Sequence, residues 1–258
     1  MKSKKLIAAN WKQNGNYKLL SKLVDGIIKK QKLLKISNDI LLLPPSPYLE
    51  FIYEKLKKSK SNKIISLGVQ NISPYEEGAY TGEISINMIN DFKCTYTLVG
   101  HSERRHIFKE DNQIIAMKVY QSLKARKKTI ICVGETLKEY NKKLTKQVIQ
   151  QQIKTAFSKS LNLITPNKKN IIIAYEPVWA IGSGKSASIN DITNVHDFIR
   201  TKMNKIANDK SKSIKIIYGG SVNPKNTNSI LKTPNVDGVL VGGASLNLKK
   251  FIDICCAI

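Results

Sequence analysis

The sequence predicts an α/β fold and, within that class, a single (β/α)8 barrel spanning residues 1–258. Three observations predict it. Short apolar, β-branched runs recur along the chain at a spacing of about thirty residues, roughly eight in all, the number such a barrel requires. Each run is apolar nearly throughout, as strands buried on both faces of a parallel sheet are. Between the runs lie segments with apolar residues three and four apart, so strand and helix alternate from end to end. An open, doubly wound sheet is the competing arrangement. Its first strand usually runs into a GxGxxG-type turn, whereas here the first run ends in NWKQNG.

Taken in order, the first strand is KLIAANW (5–11), followed by a helix over 17–33 with lysines on its outer face. DILLLPP (39–45) precedes a short helix over 47–58, and KIISLGVQN (63–71) and TYTLVGH (95–101) are the third and fourth strands. A helix over 112–127 leads into KTIICVGE (128–135), and a helix over 144–161 leads into NIIIAYE (170–176). SINDI (188–192) reads as a cap opening a helix over 190–207. IKIIYGG (214–220), a short helix over 224–232 opened by Pro224, GVLVGGA (238–244) and a last helix over 246–256 complete the pattern. No linker-like or low-complexity stretch interrupts it.

The formal net charge is +24, and only four of the 43 basic residues are arginine. The lysines are spread out, in pairs such as Lys29-Lys30, Lys142-Lys143 and Lys249-Lys250, mostly at helix ends and in loops. Base readers favour arginine and interleave aromatics for stacking; aromatics here are 7%. The composition therefore predicts a lysine-coated surface and no specific nucleic-acid partner, with any polyanion binding weak and abolished by moderate salt. Cys94, Cys132, Cys255 and Cys256 form neither a CxxC nor a Cys/His ligand pattern, and are expected as reduced thiols. The apolar run after MKSKK is too short for a signal peptide, and no run approaches the ~20 residues of a membrane helix. The expected location is the cytoplasm.

In a barrel of this kind, chemistry sits where the strands end. The residues there are Asn10 and Lys12, His101, Glu135, Glu176, GGS (219–221) and GGAS (242–245). The polar and ionisable residues thus collect on one face. Glu176 follows IIIAY; a carboxylate at the rim of an apolar barrel loses its water when the site closes, which suits a general base. Pro177 stiffens one side of the following segment and Gly182 and Gly184 free the other, the pattern of a lid. A helix start at Ser102 points N–H groups at the His101 ring and disfavours the imidazolium. Lys12 is a fixed cation for an anionic substrate. The paired glycines of the last two strand ends allow backbone N–H groups to approach a phosphate closely.

The segments NWKQNG, GHSERR, CVGE, AYEPVWAIGSGK, YGGSV and DGVLVGGASL, in this order from about residue 5 to the end, resemble the triosephosphate isomerase family. The resemblance implies a TIM barrel that interconverts dihydroxyacetone phosphate and glyceraldehyde 3-phosphate without cofactor or metal. It implies Glu176 as the base, His101 as the electrophile, and Asn10 and Lys12 as substrate-binding groups. It implies phosphate held by Gly182, Ser221, Gly242 and Gly243, with 177–185 as the lid. Glu103, Arg104 and Glu110 become structural supports, and Cys132 a buried neighbour of the glutamate. Segment 70–83, with Thr81 at its tip, matches a loop that inserts into a second subunit of a homodimer near that subunit's Lys12. The chain departs from the family pattern at Ser183, where Thr is common, at Tyr80, where Phe is usual, and at Gln13, a dimer-facing position where Met or Leu is common. None of these touches the implied chemistry.

Overall fold

The computed structural model describes residues 4–182, 186–207 and 213–257. Eight parallel strands close into a barrel in sequence order: β1 (Leu6–Asn10), β2 (Asp39–Leu43), β3 (Ile65–Val69), β4 (Tyr96–Val99), β5 (Lys128–Val133), β6 (Ile171–Tyr175), β7 (Lys215–Tyr218) and β8 (Gly238–Val241). Closure joins β1 to β8 in the register Leu6↔Gly238 through Ala9↔Val241. A Cβ on Gly238 would lie 2.1 Å from the Leu6 carbonyl oxygen, so only glycine lets the two strands meet there.

The helices are α1 (Tyr17–Leu34), α2 (Leu49–Lys58), α3 (Met88–Asp91), α4 (Ser102–His106), α5 (Asn112–Lys124), α6 (Leu137–Asn141), α7 (Thr145–Ala156), α8 (Leu161–Asn167), α9 (Ile189–Ile206), α10 (Thr227–Lys232) and α11 (Leu248–Cys255). Side-chain caps start several of them. Asn16 accepts from Leu19 N–H at α1, Asp111 from Gln113 and Ile114 at α5, and Ser188 from Asp191 at α9. Thr136 and Glu139 cap α6 reciprocally. Each such cap satisfies donors the helix leaves free and contributes about 1 kcal/mol.

Two apolar clusters explain why the strands read as continuous runs. Leu6, Ala8, Leu41, Leu43, Leu98, Ile130, Ile172 and Leu240 face one another inside the barrel. Their neighbours Ile7, Ala9, Ile40, Leu42, Val99, Ile131 and Ile173 face outward, against Leu20, Val24, Ile27, Val119, Ile153 and Ile199 of the helices. Apart from Ser66 and the strand-opening Asp39, Lys128 and Lys215, the strand positions are all buried. The expected helix over 144–161 breaks after Ala156, and α8 begins at Leu161; Phe157 and Ser160 form the turn between them. Pro224 opens a turn, and α10 begins three residues later, at Thr227.

Candidate active site

The strand ends bring Asn10, Lys12, His101 and Glu176 to one rim of the barrel, as the sequence predicts. Asn10 ends β1 and is buried. Its Oδ1 accepts from Lys12 N–H at 3.1 Å. Gln70 Nε2, from the end of β3, donates to the Lys12 carbonyl at 2.9 Å and to that of Leu43 at the same distance. These bonds hold Lys12 at φ 51, a left-handed conformation uncommon for a residue with a side chain. Its Nζ pairs with Glu103 Oε1 at 2.6 Å.

His101 caps α4. Its Nδ1 accepts from Glu103 N–H at 3.3 Å, so in this arrangement Nδ1 is bare and the ring's single proton is on Nε2. Nε2 lies 3.4 Å from Glu176 Oε1. Glu176 itself is 2% exposed. Its backbone N–H donates to the Val133 carbonyl at 2.8 Å, which fixes the strand end. Oε2 accepts from Ser102 N–H at 2.9 Å, a charge-assisted bond at the start of α4. Oε1 has no hydrogen-bond partner. A buried carboxylate oxygen without a donor is costly, and it is the atom left free to accept a proton.

Behind the carboxylate, burial pushes the Cys132 thiol well up, and the Glu176 charge adds to the effect. Glu135, one of the strand-end residues read as part of the gathering, is fully buried and turned away from the rim. Its Oε1 accepts from Trp179 Nε1 at 2.9 Å and from Tyr175 Oη at 3.2 Å, and burial pushes its carboxyl up. Trp179 follows Pro177 at the start of the expected lid, and its ring lies 4.6 Å from that of Tyr140. Glu135 therefore anchors that segment. Residues 183–185 of the lid, with Ser183 and Gly184, lie outside the described residues.

Of the expected phosphate-binding glycines, Gly182 has φ 68. Gly242 stands beside Lys12, whose Cε would be 3.5 Å from a Cβ there, and Gly243 has open space around it. Ser221 N–H is engaged by the Ala180 carbonyl at 3.0 Å. An anion that takes this N–H would have to displace that bond to the segment after Pro177.

A cleft of about 760 Å³ opens beside the rim, lined by Asn10, Lys12, Gln13, Gln70, His101 and Glu103 at its inner end and by Ile107 and Phe108 at its outer end. Arg104 lines it as well; its Nε donates to Glu110 Oε1 at 2.5 Å. Thr81 is exposed, in a loop whose Tyr75 and Tyr80 rings stack with centroids 4.3 Å apart. Among the described residues no cluster of His, Cys, Asp and Glu could hold a metal ion, and no helix is long and apolar enough to cross a membrane.

Sequence reasoning aimed the N–H groups of the α4 start at the His101 ring, which takes that of Glu103, and missed that the Ser102 N–H goes to Glu176; it also missed Gln70 and Arg105. The last donates to the carbonyls of Gly100 and Cys132, on either side of the His101–Glu176 pair.

The fold and this rim define a (β/α)8-barrel enzyme whose ionisable groups gather at the strand ends. Residues 5–258 match the family model described as Triosephosphate isomerase. The chain is 40% identical over 252 residues to the triosephosphate isomerase of Legionella pneumophila (strain Lens), covering 97% of both chains. It is 42% identical over 251 residues to that of Lawsonia intracellularis, covering 96% of both. It is 39% identical to that of Francisella tularensis subsp. mediasiatica, covering 97% of this chain and 95% of the relative. The chain belongs to the triosephosphate isomerase family, and it is an isomerase.

Proposed function

We propose that this isomerase interconverts D-glyceraldehyde 3-phosphate and dihydroxyacetone phosphate, in glycolysis and gluconeogenesis, by proton transfer through an enediolate. The observation that carries the reading is Glu176. It is a buried carboxylate with one oxygen held by Ser102 N–H and the other unpartnered, 3.4 Å from His101 Nε2. In this mechanism Oε1 removes a proton from one substrate carbon and returns it to the next. His101 Nε2–H donates to the carbonyl oxygen and then to the enediolate oxygens without carrying a net charge. The Lys12 ammonium stabilises the developing negative charge, and Asn10 fixes the backbone from which it reaches. The phosphate is held by backbone N–H groups of Gly182, Ser221, Gly242 and Gly243. The segment from Pro177 shuts over the enediolate and keeps water from it. A proton shuttle between adjacent carbons consumes no electrons, so the reaction calls for no redox cofactor, and in this proposal Lys12 and His101 stand where a metal would otherwise meet the developing charge.

The working unit of this proposal is a homodimer in the cytoplasm. Ile107 and Phe108, 68% and 64% exposed, stand at the outer end of the cleft, and Tyr75, Tyr80 and Met88 are exposed as well. Apolar surface of this kind marks an interface. A partner's loop with Thr81 at its tip would enter the cleft toward Lys12 and Glu103.

Turnover in D2O tests the chemistry. Deuterium on the product carbon that receives the proton is the expected result. Product that retains the substrate's hydrogen completely would point to a hydride shift and overturn the mechanism.

A further inference from the structure

Behind Glu176, apart from the main cleft, Gly100, Ser102, Arg105, Cys132, Gly134 and Glu176 close round a gap too small to hold a water molecule. Arg105, on α4, is the one permanent cation on that lining. Its guanidinium is spread over three oxygens. Nε donates to the Gly100 carbonyl at 2.8 Å, Nη1 to Asn112 Oδ1 at 2.7 Å and Nη2 to the Cys132 carbonyl at 2.9 Å. All three are neutral, and among the described residues no carboxylate forms an ion pair with it. Arg104, one residue away, is by contrast paired with Glu110.

The placement of these oxygens matters. Gly100 immediately precedes His101 at the end of β4. Cys132 lies at the end of β5, paired with Ala174 of β6, and Val133 beside it accepts the Glu176 N–H. One planar, rigid group therefore ties together the two strand ends that carry the imidazole and abut the carboxylate. A lysine ammonium has no such fork. Because its partners are neutral, the charge of Arg105 stays uncompensated at close range, and in a poorly solvated site it acts on the nearest anion. The groups facing Glu176 are His101 and the Ser102 N–H from the β4–α4 corner, the Cys132 thiol from β5, and Arg105. Those facing Arg105 are Cys132, Glu176 and Glu110.

We propose that Arg105 is a positioning residue for the isomerisation: it clamps the ends of β4 and β5 beneath His101 and Glu176, and it sets its unpaired charge toward the buried Glu176 carboxylate. The proposal rests on Glu176 being the base.

The test compares Arg105→Met and Arg105→Lys with wild type, and with Glu176→Gln as the control for the base, recording kcat and KM from about pH 5 to 9 alongside thermal melting. Arg105→Met is expected to lower kcat by about 10²-fold with little change in KM. It is also expected to move the acid limb of kcat/KM to higher pH, since a cation facing the carboxylate is removed. Arg105→Lys keeps a charge, so its acid limb stays near that of wild type while kcat falls about tenfold for want of the three-point clamp. An acid limb that does not move in Arg105→Met, while Glu176→Gln is inactive, overturns the proposal and leaves the base assignment standing. Activity retained in Glu176→Gln overturns the base assignment on which the proposal rests. Should Arg105→Met fail to fold, Arg105→Lys decides: a tenfold loss of kcat with an unmoved acid limb supports the clamp, and kcat within about twofold of wild type overturns it.

Discussion

Acid should unfold this protein partly through one side chain outside the active site. His196, on α9, is 0% exposed. Its Nδ1 donates to the Asn235 carbonyl at 3.0 Å, Nε2 has no partner, and the ring meets that of Tyr175 edge-on at 6.1 Å. Burial brings its pKa from 6.5 down to about 4; the Asn235 bond, Asp237 and Asp197 pull the other way, and Arg200 adds to the lowering. Between those two pH values the unfolded chain binds a proton that the native protein does not. Stability is therefore intact above about pH 6.5 and is lost as pH falls toward 4. At about 1.4 kcal/mol per pH unit, the full difference is about 3 kcal/mol, and about 2 kcal/mol is already lost at pH 5. That is a large share of the roughly 5–15 kcal/mol typical of a folded domain. The assay is urea unfolding at about pH 7.5 and pH 5, at one fixed protomer concentration, for wild type and His196→Gln. Glutamine can still donate to Asn235 but does not titrate, and the carboxylates common to both proteins cancel in the comparison. Wild type should lose about 2 kcal/mol more than the variant. Equal losses, within about 0.5 kcal/mol, would refute the reasoning.

Two further substitutions test the packing around the site. A Cβ on Gly134 would lie 1.8 Å from the Glu176 carbonyl oxygen, so Gly134→Ala must displace the end of β6; kcat should drop by about 10²-fold while the protein stays folded by circular dichroism. Glu110 Oε1 takes both Arg104 Nε and Nζ of Lys118, which is 2% exposed and also donates to Asn71 Oδ1 at 2.7 Å. Glu110→Ala strips a buried cation of its counter-charge. The expected loss is about 3 kcal/mol, the lower end for a broken buried pair, because Asn71 remains and burial already lowers the Lys118 pKa. The thermal midpoint should fall by several degrees, and Glu110→Gln should recover part of it.

The strands were legible because both of their faces are buried: Ile7 and Ala9 face the helices while Leu6 and Ala8 face the barrel interior, so in β1 no polar position breaks the run before Asn10. The helix opened by Ser188 was legible from its cap. The short helices α3 and α6 were not, since a single turn of mixed composition carries no periodicity. At the site, topology alone places Asn10, Lys12, His101 and Glu176 together, because a barrel brings all its strand ends to one rim. What the sequence hides is the bonding across it. Gln70 reaches Lys12 over a separation of 58 residues, and Ser102 N–H reaches Glu176 over 74. Arg105 was hidden for a related reason: one of two adjacent arginines turns to Glu110 and the other to the strand ends, and nothing in the letters distinguishes them.

The central claim, that Glu176 is the base, is tested most directly by supplying glyceraldehyde 3-phosphate to wild type and to Glu176→Gln, with glycerol-3-phosphate dehydrogenase reporting dihydroxyacetone phosphate. Glutamine keeps the shape and loses the proton acceptor. The account predicts fast turnover in wild type and a kcat lower by at least about 10²-fold in the variant, with substrate binding retained. A loss below about tenfold would contradict it and assign the proton transfer to another group.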